Sequence, residues 1–200
     1  MRPATVLDLA DRHGVALPDA LADALRAGRP VTLSAADERG WFRFQRLYDV
    51  ARSVLRTPAD VRRLVLEAAE DDAAEGSSWL EIQVDPSGYA ARFGGITAFL
   101  ELVLDAVHHA SARTGIGMAV VVAANRTRHE LDARTLARLA AQYADAGVVG
   151  FGRSNDERRG PADAFARAFA IAHRAGLASV PHAGELRGPA SVASTVAHLT

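Results

Sequence analysis

"GMAVVVAANRTRHELDARTLARLAAQYADAGVVGFGRS", residues 117–154, decides the fold. Residues 117–125 are a continuous apolar run of strand length. Residues 130–147 form an amphipathic helical stretch that closes on glycine. Residues 148–154, VVGFGRS, are a second short apolar strand. Apolar strand, helix, apolar strand is a βαβ unit, and such units build parallel sheets covered by helices.

The same alternation continues on both sides. SWLEIQVDP (78–86) reads as a strand ending at a proline turn, and GITAFLELVLDAVHHASARTG (95–115) as a helix closed by glycine. Downstream, PADAFARAFAIAHRAG (161–176) is a helix with proline in its first turn, ASVPHAG (178–184) a strand and PASVASTVAHL (189–199) a helix. Proline just inside a start and glycine just past an end are ordinary helix signals. Upstream of 78 the pattern is helix and loop only, at about 3–12, 18–27, 41–55 and 58–75. The class is α/β, and a doubly wound sheet and part of a (β/α)₈ barrel both fit. No G-x-G-x-x-G or P-loop follows a strand, which argues against a nucleotide-binding doubly wound fold.

Composition narrows the function classes. In 200 residues, 49% are hydrophobic and 24% charged, and the net charge is −1. That balance is globular and gives no reason to expect nucleic acid or an anionic membrane as partner. Cysteine is absent, which removes disulfides, thiolate metal sites and cysteine nucleophiles and fits a cytoplasmic location. Every cation other than histidine is arginine, which with the heavy use of alanine reads as base bias in the genome. The start, MRPATVLDLADRHG, lacks the apolar segment of a signal peptide, and no run of apolar residues is long enough to span a membrane.

In either architecture, function sits at the C-terminal ends of the strands. Those ends are polar here: Gln83 and Asp85, Asn125 and Arg126, Arg153 to Glu157, and His182 to Glu185. His182 is a candidate metal ligand, or a histidine satisfied within the loop. Glu185 follows after Gly184, which allows a sharp turn back over the strand end. Its carboxyl could serve as a general acid or base, or cap the next helix. Asp156 and Glu157 read as a solvated loop neutralised by Arg158 and Arg159, with a catalytic pair as the alternative. Phe44 and Tyr48, four apart on one helical face, read either as core packing or as a lid over a substrate. His108, His109, His173 and His198 lie on helices, and His13 and His129 near helix ends, where surface or packing roles are expected.

The segments TVLDLADRHGVALP, FRFQRLYDVARSVLRTPADVRRLVLEAAEDDAAEG, WLEIQVDP, GVVGFGRSNDE and HAGE occur here in order. On these the chain resembles the adenosine deaminase family of metal-dependent purine deaminases, which are (β/α)₈ barrels. HAGE, preceded by AHRAGL and followed by GPASV, is its most specific piece. The resemblance implies a single incomplete barrel domain holding about strands two to five, with a helical lid region at 1–76 and βα repeats at 77–200. It implies a zinc ion in the complete site, with His182 as a ligand, and Glu185 as the acid that protonates the purine ring. It places Gly184, Asn155, Phe44 and Tyr48 at substrate-binding positions, Asn155 standing where the family usually has glycine. Gly152 stands where aspartate is common, Gln45 where leucine is common and Asp85 where serine is common, so the purine is open: adenosine, adenine or aminodeoxyfutalosine. The family's remaining metal ligands would precede Met1 and follow Thr200. From this follow the expectations of an inactive piece of a longer barrel and of self-association through open sheet edges. A different metal hydrolase on the same barrel, or a binding protein without a complete metal site, are the rival readings.

Overall fold

The computed structural model describes residues 1–29 and 38–200; the stretch 30–37 of the expected lid region lies outside the described residues. Among the described residues, four helices come first: α1 (Pro3–Arg12), α2 (Asp19–Arg26), α3 (Glu38–Ser53) and α4 (Pro58–Ala74). Then follow β1 (Trp79–Val84), the short α5 (Ala90–Phe93), α6 (Ile96–Thr114), β2 (Gly117–Asn125), α7 (Glu130–Gln142), β3 (Val148–Ser154), α8 (Ala162–Arg174), β4 (Ala178–Pro181) and α9 (Gly188–Leu199). Each start has a local cause. At α4, the Thr57 hydroxyl accepts from the Asp60 N–H while Asp60 accepts from the Thr57 N–H, and Pro58 occupies the first turn.

Sheet order settles the choice between the two architectures. All pairings are parallel and the order is β1-β2-β3-β4, each strand beside its successor. A doubly wound sheet reverses direction near its middle and puts helices on both faces. Successive right-handed crossovers without reversal put them on one face. Here α6, α7, α8 and α9 pack on the strands, α4 lies on α6, and α7, α8 and α9 pack in sequence. The result is an arc of a (β/α) barrel.

The main core lies between the sheet and this helical layer. Met118, Val120, Val122, Ala124 and Phe151 meet Leu100, Val103, Val107, Leu136, Phe165 and Phe169. Removing one such side chain, as in Leu100→Ala, costs about 2–5 kcal/mol. β2 is buried on both faces, which is why it reads as an unbroken apolar run, whereas the edge strands β1 and β4 alternate. The other face of β2 and β3 carries small residues because larger ones from the edges lie across it. A Cβ on Gly152 would stand 2.9 Å from the Gln83 Oε1 and 2.9 Å from the Val180 carbonyl oxygen.

A second cluster, Val6, Leu9, Ala10, Val54 and Leu55, packs the N-terminal helices. Polar bonds tie α1 to α4: Thr5 donates to Glu67, and His13 lies 2.9 Å from the buried Asp60. Two boundaries differ from the sequence expectation. α7 ends at Gln142 and a 3-10 turn covers Ala144–Ala146. β4 ends at Pro181, which has no N–H to donate; the His182 N–H still bonds the Arg153 carbonyl at 2.8 Å.

Candidate active site

A cleft of about 410 Å³ opens over the C-terminal ends of the strands. Its apolar part runs beside β1, between Val61, Leu64, Val65, Ile82, Val84 and Val103. Its polar mouth is made by Gln83, Asp85, Asn125, Ser154, Asn155, His182 and Glu185, and α3 closes one side with Trp41, Phe44, Gln45, Tyr48 and Arg52. Most polar strand ends noted in the sequence therefore converge on one wall. Arg126, Arg153, Asp156 and Glu157 do not; they are buried beneath it.

His182 and Glu185 are exposed and line this cleft. The His182 imidazole is thus not packed away in the core. Glu185 does not cap α9: the cap residue is Arg187, with no side-chain cap bond. Gly184 contributes backbone only and is not part of the lining. Its φ is +83°, and a Cβ there would stand 2.7 Å from Val192 Cγ2. A side chain would be both strained and obstructed.

Asn155 lines the cleft with φ +80°, the sole non-glycine residue with positive φ among the described residues. Its side-chain oxygen accepts from the Asp156 N–H at 2.7 Å, a local bond that helps asparagine hold this conformation. The backbone here is the kind that glycine adopts freely.

Phe44 and Tyr48 stack at 6.0 Å between ring centroids, and each is about half exposed (48% and 49%). They belong to the cleft wall, so packing into the core does not describe them. Arg52 lies over Tyr48 at 5.6 Å and Tyr89 at 5.9 Å and pairs with Asp49 at 3.0 Å.

The solvated-loop reading of Asp156 and Glu157 is overturned, since each is only 8% exposed. Asp156 pairs with Arg158 at 2.9 Å, which lowers its carboxyl pKa, and the Arg158 guanidinium lies 4.4 Å over the Phe42 ring of α3. Glu157 accepts from the N–H groups of Gly184, Leu186 and Arg187 and from the Ser191 hydroxyl. Burial alone would raise its pKa; the bonds from Ser191 and the three amides outweigh that and hold it at about 2. Arg126, 2% exposed, is lowered by burial, against the pull of Glu157, Glu185 and Asp156, and donates to the His182 carbonyl. Arg153 is lowered to about 10 by burial and by the nearby Arg126, yet stays charged at neutral pH. No pattern in the sequence marks Glu157 and Arg126 as buried, because their partners are 27 to 56 residues away.

A catalytic zinc takes three protein ligands and keeps one position open. Among the described residues, no group of three or more His, Cys, Asp or Glu side chains converges. His182 is one imidazole on the cleft wall, so these residues alone do not compose a zinc site.

The family model for adenosine deaminase matches residues 1–200. A Streptomyces coelicolor protein provisionally named adenosine/adenine deaminase is 66% identical over 192 residues, covering 96% of this chain and 56% of that protein. An aminodeoxyfutalosine deaminase of Acidothermus cellulolyticus is 34% identical over 185 residues, covering 92% of this chain and 50% of that protein. Among solved structures, the adenine deaminase of Arthrobacter aurescens superposes with a TM-score of 0.78 at 27% identity, over 99% of this chain and 58% of that one. The chain thus spans about half the length of these relatives. By the match along its whole length, it belongs to the adenosine deaminase family.

Proposed function

We propose that this chain carries the proton-donating wall of a hydrolytic deaminase acting on a 6-aminopurine nucleoside, adenosine or a close relative. The observation that carries this is the exposure of Glu185 and His182 on one cleft wall, beside the glycine-like backbone of Asn155. The cleft volume lies within the usual range for small-molecule sites. The base would lie against the strand ends, with Phe44 and Tyr48 covering it.

Glu185, as the acid, gives its proton to N1 of the purine. That draws electrons from C6, and water adds there; one of its protons goes to the amino group, which leaves as ammonia, and the other returns to Glu185. The balance is adenosine plus water to inosine plus ammonia. His182 would give one nitrogen ligand to a zinc ion, which takes at least two more protein ligands. When bound, such an ion supplies a water of pKa near 7 rather than about 15.7. We place the protein in the cytoplasm, on the absence of cysteine. Among the described residues no helix is long and apolar enough to cross a membrane. The unpaired edges of β1 and β4 favour self-association of the isolated chain.

A second reading, adenine or aminodeoxyfutalosine as substrate, rests on the names of two relatives. The test is a graft in which this chain replaces the matching segment of the Streptomyces coelicolor relative. Ammonia release is measured with adenosine, adenine and aminodeoxyfutalosine. Adenosine should be the best substrate, and zinc should approach one per chain; zinc near zero would favour a binding protein. Glu185→Gln should keep zinc and lower kcat about 10²–10⁴-fold. Near-normal turnover in that variant would remove Glu185 from the chemistry.

A further inference from the structure

The segment from His182 to Arg187 carries both side chains on which the proposed chemistry rests. It lies between the end of β4 at Pro181 and the start of α9 at Gly188, so no helix or sheet fixes it along its length. No hydrogen bond among the described residues holds the Glu185 carboxylate either. Its aim is therefore set by the backbone that carries it.

Two buried charges grip that backbone. At one end, Arg126 donates a guanidinium N–H to the His182 carbonyl. On either side of Glu185, the Glu157 carboxylate accepts from Gly184 at 2.5 Å, from Leu186, and from Arg187 at 2.9 Å. The Ser191 hydroxyl in the first turn of α9 donates to the same carboxylate. The polarities match: a cation meets the carbonyl and an anion meets three N–H groups. Bonds to an ionised acceptor are roughly twice as strong as neutral ones, and burial shields them from water. Glu157 comes from the loop after β3, so it also fixes the turn relative to Asn155 on the neighbouring strand end.

We infer that Glu157 is a positioning residue for the deamination, clamping the turn that aims Glu185 and His182 into the cleft. This rests on the reading of Glu185 as the proton donor. Glu157 lies outside the cleft lining, so a base held in the cleft would not meet it. Its replacement should therefore act on the rate far more than on substrate binding.

Glu157→Gln is the sharpest variant. It keeps the shape but turns an NH₂ group toward backbone N–H donors. In the chain itself, amide exchange at Gly184, Leu186 and Arg187 should speed up about tenfold or more, while Val122 in the core, which opens only with the whole fold, should speed up by no more than the loss of global stability seen in urea unfolding. In the grafted enzyme, kcat should fall about 10²-fold, KM should stay within about threefold and zinc should be retained. Glu157→Asp, which restores the charge, should recover part of the rate. Three amides that keep their protection in Glu157→Gln, or an unchanged kcat, would overturn the inference. If Glu157→Gln loses protection at Val122 beyond that global loss, Ser191→Ala decides, since it removes one donor and leaves the charge. A drop in kcat of about threefold at constant KM then supports the clamp, and an unchanged kcat refutes it. Full activity in Glu185→Gln would refute the deaminase role of that residue instead, while amide exchange in Glu157→Gln would still support or refute the clamp by itself.

Discussion

The β4–α9 corner and helix α3 bound the same cleft and are held by opposite means. The corner hangs on buried charge: Glu157 with four donors, Arg126 on the His182 carbonyl. Helix α3 meets the cleft with half-exposed rings, and the loop after β3 touches it through Arg158 over Phe42. A hydrogen bond to a charged group contributes about 1.5–3 kcal/mol, an exposed cation–π contact about 0.5–1. The contrast fits the proposed tasks. On that reading a proton must be delivered to one ring atom, and a misplacement of about 1 Å can cost 10²-fold in rate. Covering a flat base requires only area, which the half-exposed rings of α3 supply.

The largest expected effect lies at the corner. Glu157→Ala removes the acceptor from three amides and a hydroxyl, and should cost roughly 3–5 kcal/mol in urea unfolding of this chain. The pH dependence has a defined sign. The Glu157 pKa is held at about 2 in the fold, below the ordinary 4.5. Its contribution is therefore complete above about pH 4.5 and is lost as pH falls toward 2. It amounts to roughly 3 kcal/mol. Glu157→Gln should flatten the stability curve in that window. If the variant and the parent lose stability alike between pH 4.5 and 2, the corner is no more charge-held than α3, and the comparison fails.

Asn155, at the mouth between the two regions, should show an intermediate effect. Asn155→Gly suits φ +80° and loses one local hydrogen bond, so stability should change by less than about 1 kcal/mol. Asn155→Val places a β-branched side chain in the left-handed region and should cost about 1–3 kcal/mol. Thermal unfolding of both variants checks this. Equal stability for Gly and Val would mean the left-handed backbone is not what the position requires.

How much of this was legible depends on the range of each interaction. β2 and the helix stop signals are local, so the βα order and most boundaries could be read from residues such as Gly115 and Pro161. The choice of an arc over a doubly wound sheet depends on which strands pair, and only the resemblance anticipated it. HAGE announced His182 and Glu185 because the residue types and the turn glycine sit side by side. Glu157 was misjudged for the converse reason. Flanked by Asp156 and two arginines, it has the look of a solvated charge run, but Arg158 serves Asp156, while Glu157 turns inward to donors from Gly184 to Ser191. Phe44 and Tyr48 have helical spacing whether they face a core or a ligand. Only their half exposure separates the two.

The smallest effect on folding should come from that pair. Both rings are about half exposed, and their stack lies on the outer surface of α3 facing the cleft. Truncation of surface side chains usually changes stability by no more than about 0.5 kcal/mol. Phe44→Ala and Tyr48→Ala should therefore unfold almost as the parent does, in contrast to Glu157→Ala. Substrate binding is where they should register. Stacking of a base on an aromatic ring contributes about 1–3 kcal/mol, so KM for a purine nucleoside in the grafted enzyme should rise about 5- to 150-fold. The rate at saturation should change little, because a cover over the base contributes area and moves no proton. Glu157→Gln should give the reverse split, with kcat lowered and KM nearly constant. If Tyr48→Ala instead lowered kcat at constant KM, α3 would be placing the reacting atoms as the corner does, and the division between a held wall and a soft cover would be wrong.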